Sequence, residues 1–448
     1  MEKSFEVAYI PVGVGTFHME SAKDQFEKSI ALLRDLEPEV KVPGEMLLNT
    51  EKLRAYLDTL HPDLIVFQNL TFANAAYAGE VMHAFREVPV VLWTLREPVI
   101  DGGRLRLNSL TGAFSAGNTF RQFGKEPFEY VYGGPLEEKV RKTLGTVIRA
   151  AKVKFEMNQL RGCAIGHTPE GFGFGRALDL DLLETFGVRQ DAMEARELIE
   201  KAKSFTEEEI REYLEDAKEK TVGLENTPEK NRKDFARLYK AYAEFVKERG
   251  IGLIASRCWP DFFTSFGTPV CTVLGMLNDL GVAAACEADM YGALSMWIGQ
   301  RLSGKAAFFG DPVSLDEEKN TITFWHCGTA ACSLARKDTG AVIGEHCNRH
   351  IGPTLEFGCE KAEHAVIFRI GRNPDGTFRF FIADGKALDA PKQFFGTSVV
   401  IETACDAEFI VHEAVKAGME PHYAVVFGDV AEELNVLANM FKIETVRY

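Results

Sequence analysis

The sequence predicts an α/β protein: two successive Rossmann-like parallel-sheet domains followed by a mainly β C-terminal domain. Three observations predict it. Up to residue 161, short apolar runs alternate with amphipathic segments, the order that builds βα units and a parallel sheet. A second series of the same kind opens at 162. After Gly304 the texture changes to β-rich runs separated by turn signals. The chain has 448 residues, too many for one ordinary core, and 46% hydrophobic content lets each domain bury its own.

In the first domain, residues 1–161, FEVAYIPV precedes ESAKDQFEKSIALLRDL, and LIVFQN precedes FANAAYAGEVMHAF. VPVVLWTL and FEYVYGG supply two further strands. The helical pattern PLEEKVRKTLGTVIRAAKVKFEMNQL closes the domain, with Pro135 at its start and Gly162 just past its end. The middle domain, 162–303, begins at CAIGHT and passes through three charged helical stretches ending in TPEKNRKDFARLYKAYAEFVKERG. It continues with GLIASRC, TPVCTVLGMLNDLG, VAAACE and MYGALSMWIGQRL, where Gly250 and Gly281 are helix stops. The C-terminal domain, 304–448, holds the β runs KAAFFGDPVSL, NTITFWHCG, HAVIFRIGR, TFRFFIADG and TSVVIETA. A helix at DAEFIVHEAVKAG, a strand at HYAVVFGD and a helix at AEELNVLANMFKI complete it.

A net charge of −15 opposes unassisted binding to nucleic acid or an anionic membrane, so small molecules and other subunits are the expected partners. Nine cysteines at irregular spacing, without a C-x-x-C pair, fit free thiols in a reducing compartment. The start MEKSFEVAYIPVGVG has no signal-peptide plan, and no run approaches the roughly 20 apolar residues of a membrane span. A cytoplasmic location is the expectation.

The stretch AAACEADMYGAL places an acid, Glu287, at the carboxyl end of a buried strand, where ligands of open parallel sheets gather. A carboxylate there needs compensation, either from a divalent cation or from the positive end of the following helix. Asp289 reads as that helix's N-cap. Asp311, between Gly310 and Pro312, is either a turn aspartate or a second ligand. His326 ends the run TFWHCG and His422 begins HYAVVFG; each reads as a packed structural residue or as a ligand. Two carboxylates with one or two imidazoles suit Mn²⁺ or Mg²⁺, whereas a thiolate-rich set indicates zinc. In EHCNRH, His346 and His350 would share a metal only within a helix, which the β context opposes. Neither VGVGTFH nor GFGFG has the spacing of a dinucleotide fingerprint, and no Walker loop or G-x-S-x-G elbow is present.

The run CTVLGMLNDLGVAAACEADMYGALSMWIGQRLSGKAAFFGDPVSLDEEKNTITFWHCG resembles the L-fucose isomerase and L-arabinose isomerase superfamily, nearest its fucose isomerase-like branch. The likeness is strongest from Arg257 to Ala335, returns at PHYAVVFGDVAEELNVLANMFKIE, and is faint in the N-terminal third, where LIVFQNLTFANA and NTFRQFG have counterparts. The resemblance implies a Mn²⁺ held by Glu287, Asp311 and His422, with Mg²⁺ or Co²⁺ as substitutes, and a sugar bound to it through O1 and O2. It implies sugar-pocket roles for Arg257, Trp259 and His326. NTFRQFG resembles a segment lent by a neighbouring subunit, which implies a homo-oligomer (trimer, tetramer or hexamer); arabinose isomerases carry a histidine where Asn118 stands. Pro421 departs from the polar residue usual before His422.

The implied reaction is an aldose–ketose isomerisation through a cis-enediol, with Glu287 and Asp311 as the acid–base pair, on a fucose- or arabinose-like sugar or a modified one such as a sulfonated hexose. The competing reading from another class is a two-lobed sugar-binding protein that performs no chemistry. Such a protein needs no metal and is normally exported.

Overall fold

Six consecutive buried residues, Val7–Val12, form strand β1, the apolar run of a strand covered on both faces. The computed structural model describes residues 4–448. Parallel to β1 run β2 (Leu64–Asn69), β3 (Val90–Thr94) and β4 (Glu129–Tyr132), in chain order across a four-stranded sheet. One face of this sheet, through Ile10 and Phe67, packs on Leu53, Val81 and Phe120 from three helices. On the other face the Tyr9 ring stacks with Phe26 of the helix Met19–Leu36. These elements belong to a first unit, which runs to Phe155 and includes Val436–Lys442.

The second unit comprises Glu156–Asn435 and Ile443–Tyr448. Its parallel sheet contains β5 (Arg161–Ile165), β6 (Arg189–Met193), β7 (Leu253–Ser256) and β8 (Ala283–Cys286), in the order β6-β5-β7-β8. The reversal of strand order that marks a Rossmann-like sheet lies here, between β5 and β7, and the first sheet has none. Strand β6, RQDAM, is not among the sequence-predicted strands. It is an edge strand with polar, partly exposed side chains and so carries no apolar run to find. Gly250 and Gly281 take left-handed conformations where helices end, as their positions in the sequence predict.

Past Gly304 the architecture within this unit changes to mainly antiparallel strands: β9 (Phe308–Asp316), β10 (Thr321–His326), the short β11 (Ile343–Gly344), β12 (Thr354–Leu355) and β13 (Phe357–Gly358), then β14 (Ala362–Arg372), β15 (Phe378–Ala387), β16 (Thr397–Thr403), β17 (Tyr423–Val426) and β18 (Glu444–Arg447), with β13 and β18 pairing in parallel. Six of them close on themselves. β10 pairs with β9, β9 with β17, β17 with β14, β14 with β15, β15 with β16, and β16 with β10, all antiparallel. The result is a barrel, which removes the edges an open sheet would expose. The sequence predicts its strands but not its closure, which rests on three residue pairs between β15 and β16. The helix Met290–Ser303 follows β8 and is buried along its first ten residues. Among the described residues, no helix is long and apolar enough to cross a membrane.

Candidate metal centre and active site

After β8 the backbone turns through two consecutive left-handed residues, Glu287 (φ 59°) and Ala288 (φ 55°). Side chains with a Cβ rarely adopt this conformation, at a cost of order 1 kcal/mol each, and such strain clusters at functional sites. The turn is held by Ala288 N–H donating to Ser256 O at 3.1 Å and Asp289 N–H donating to Cys286 O at 3.1 Å. It brings Glu287 Oε2 to 2.9 Å from Nε2 of the buried His422, which directly precedes β17. Asp311 of β9 places Oδ1 3.4 Å from the same nitrogen. His326, at the end of β10 beside Asp311 across the β9–β10 ladder, offers a donor atom within 4.8 Å of those of Glu287 and His422.

Asp289 caps the helix Met290–Ser303 by accepting from Gly292 N–H at 2.8 Å, as its sequence position predicts. It does more than cap. Its carboxylate accepts two hydrogen bonds from the fully buried Arg369, at 2.6 and 3.1 Å, and lies 2.9 Å from His422 Nδ1. Arg369 lies 80 positions away and no local pattern links it to Asp289, so sequence reasoning missed this pair. Gly292 is required for the fit, because a Cβ there would fall 2.5 Å from Phe309 and 2.9 Å from Arg369 Nη1.

Burial alone would raise the Asp289 pKa, but the Arg369 charge and the His422 hydrogen bond outweigh it and hold the carboxyl well below the usual range. His422 moves the other way: burial disfavours its proton, yet Asp289 and Glu287 raise its affinity above normal. His326 is likewise raised, to about 10, against burial, by Cys327, Glu287 and Asp311. Burial raises the Asp311 carboxyl. Both imidazoles are thus pushed toward their charged forms by the negative groups around them, and one divalent cation can compensate the same groups. The donor set of two carboxylates and two imidazoles fits Mn²⁺. His422 has the outer-shell carboxylate typical of a ligating histidine, since Nδ1 is tied to Asp289 and Nε2 faces Glu287 and Asp311.

Aromatic rings wall the centre. Phe309 lies 4.7 Å, Phe174 5.2 Å and Phe172 6.3 Å from the His422 ring, centroid to centroid. The GFGFG segment thus serves as a cover over His422. Its Gly175 permits the approach, because a Cβ there would meet Asp289 Cα at 2.8 Å. The alternation of Gly and Phe was the available signal.

Arg257 and Trp259 stand at the end of β7, outside the donor cluster. Arg257 Nε lies 3.0 Å from Asp261 Oδ2 and donates to Trp259 O at 3.1 Å. Arg349 lays its guanidinium over Trp259 at 5.2 Å and Phe263 at 5.1 Å. A crevice of about 320 Å³ opens at the carboxyl ends of β5 and β6, lined by Gly166, His167, Thr168, Arg176, Gln190 and Ala288.

No protein-family profile matches the chain. Among curated proteins it is 59% identical over 444 residues to a sulfoquinovose isomerase of Clostridium sp. (strain MSTE9), covering 99% of each chain. It is 37% identical over 446 residues to a sulfoquinovose isomerase of Priestia megaterium (strain ATCC 12872 / QMB1551), again over 99% of each. With the sulfoquinovose isomerase of Alkalicoccus urumqiensis it shares 36% identity over 443 residues, 98% of each.

Proposed function

The chain belongs to the family of sulfoquinovose isomerases, and from that premise we propose that it interconverts sulfoquinovose and the corresponding ketose through a cis-enediol, with Mn²⁺ as cofactor. Sulfoquinovose is a glucose whose C6 carries a sulfonate. The observation that carries the reading is the convergence of Glu287, Asp311, His326 and His422, drawn from a sheet turn, two barrel strands and the residue that precedes a third, on one small volume. The likeness of Arg257–Ala335 to fucose isomerase-like enzymes belongs to the same reading.

Glu287, Asp311 and His422 would hold the cation, with His326 beside them. When bound, the cation supplies Lewis-acid polarisation of the sugar carbonyl, worth several kcal/mol. The protein's own groups move the protons. Glu287 removes the proton from C2, exchanges it with solvent and protonates C1, while Asp311 transfers the hydroxyl proton between O2 and O1. Asp289 fixes the His422 ring, and Phe172, Phe174 and Phe309 keep water from its faces.

A protein with net charge −15 must provide local cations for a sulfonate. Arg257 and Arg349 both reach Trp259, which supports this corner as the place where the anionic tail binds. A cytoplasmic homo-oligomer completes the proposal; Phe114, 75% exposed and four residues before Asn118 on the helix Ser109–Gln122, supports a subunit contact there.

Stripping the protein with EDTA and restoring Mn²⁺ tests the proposal: ketose formation from sulfoquinovose is abolished and then returns. In D₂O, deuterium enters C1 of the ketose. A chain that keeps its affinity for the sugar after EDTA and never forms ketose is the non-catalytic binding protein instead.

A further inference from the structure

Behind His326 lies a second group of donors with different chemistry. Cys271 opens the helix Cys271–Asp279, Cys327 follows His326, and His346 lies in the loop between β11 and β12. One donor atom from each lies within 4.8 Å of the other two. Cys286, the last residue of β8, and Cys258 are further buried free thiols near this group. A buried thiol by itself packs as a small apolar group. That accounts for each cysteine separately; His346, only 7% exposed, packs on Phe263 and accepts from Asn348 N–H through Nδ1 at 3.3 Å, and it also brings a ring nitrogen to the same point as the thiols.

The spacing suits one ion. Tetrahedral zinc with Zn–S of about 2.3 Å and Zn–N of about 2.0–2.1 Å places its donors roughly 3.5–3.8 Å apart, within the observed spread. Sulfur donors select thiophilic ions, whereas the oxygen and nitrogen donors around His422 suit Mn²⁺, so the two clusters differ in preference.

We propose that Cys271, Cys327 and His346 form a second cation site that takes a thiophilic divalent ion such as Zn²⁺, with the fourth position of the tetrahedron left to solvent. Each thiol that ligates releases its proton to solvent, and no oxidation is involved. Cys347, next to His346 in the chain, lines a cavity of about 720 Å³ together with Asn348, Trp325 and Lys392. The site also adjoins the candidate active centre, because Cys327 Sγ lies 3.4 Å from His326 Nδ1.

Cobalt is the probe. To reduced, Mn²⁺-loaded protein under nitrogen, one equivalent of Co²⁺ is added and the near-ultraviolet spectrum recorded. The expected result is a thiolate-to-cobalt charge-transfer band that saturates at one ion per chain and is displaced by Zn²⁺. In Cys271→Ser the band loses about half its intensity, and in both Cys271→Ser and His346→Ala the Co²⁺ affinity falls at least tenfold, with circular dichroism confirming that both variants are folded. A wild-type protein without the band overturns the proposal, as do a band intensity and a Co²⁺ affinity unchanged in Cys271→Ser.

Discussion

Asp289→Asn preserves the size of the side chain and removes only its charge. Asparagine caps a helix as well as aspartate does, so the bond from Gly292 N–H is kept. Arg369 is what suffers. It is fully buried, both Nη atoms donate to Asp289, and its Nε finds no partner. Breaking a buried ion pair by neutralising one member costs about 3–5 kcal/mol, because the remaining charge is left in a medium that cannot solvate it. At about 2–4 °C per kcal/mol for domains of 150–250 residues, the melting temperature should fall by about 6–20 °C, toward the lower end for a unit somewhat larger. Calorimetry without added metal measures this, and adding Arg369→Met should recover most of the loss. The sign of the pH dependence follows from the depressed Asp289 carboxyl. The unfolded chain takes up this proton near pH ~3.9 while the native state does not, so the stabilisation is complete above that pH and is lost as pH falls. Asp289→Asn should flatten that acid limb. A variant that melts within about 1 kcal/mol of wild type, with an unchanged acid limb, would refute the assignment of Arg369's countercharge to Asp289.

Glu287→Gln should lower turnover of sulfoquinovose by about 10²- to 10⁴-fold with little change in melting temperature, and a near-normal rate would remove Glu287 from proton transfer. His422→Ala should leave less than one Mn²⁺ per chain by elemental analysis after gel filtration; full occupancy would exclude it as a ligand. Arg349→Ala should raise KM for sulfoquinovose by about tenfold or more, given the roughly 1.5–3 kcal/mol of a hydrogen bond to a charged group, and leave KM for glucose unchanged. Equal effects on both sugars would place the sulfonate elsewhere.

What the sequence discloses is what depends on neighbours along the chain. The βα alternation, the glycine stops at 250 and 281, the acid at the end of AAAC and the cap at Asp289 all follow from local patterns, and each is seen in the structure. What it hides depends on closure over long separations. Arg369 reaches Asp289 from the barrel, Phe172 and Phe174 lie on His422 from some 250 residues away, and β15 meets β16 to complete the ring. His346 illustrates both halves. Pairing with His350 needed a helix that the loop does not form, and the actual neighbours, Cys271 and Cys327, come from two other elements. Strand β6 escaped because an exposed edge strand has no apolar signature.

The closed barrel separates two tasks that many enzymes entangle. Asp311, His326 and His422 belong to its ring or stand immediately beside it, and that ring has no loose margin at which to slip. Trp259 and Arg349 sit instead on connecting segments, which tolerate replacement far better. Under the proposed function, engineering this scaffold toward sugars with other tails should therefore begin by randomising 259–263 and 347–350, which leaves the residues around His422 in place while the clientele changes.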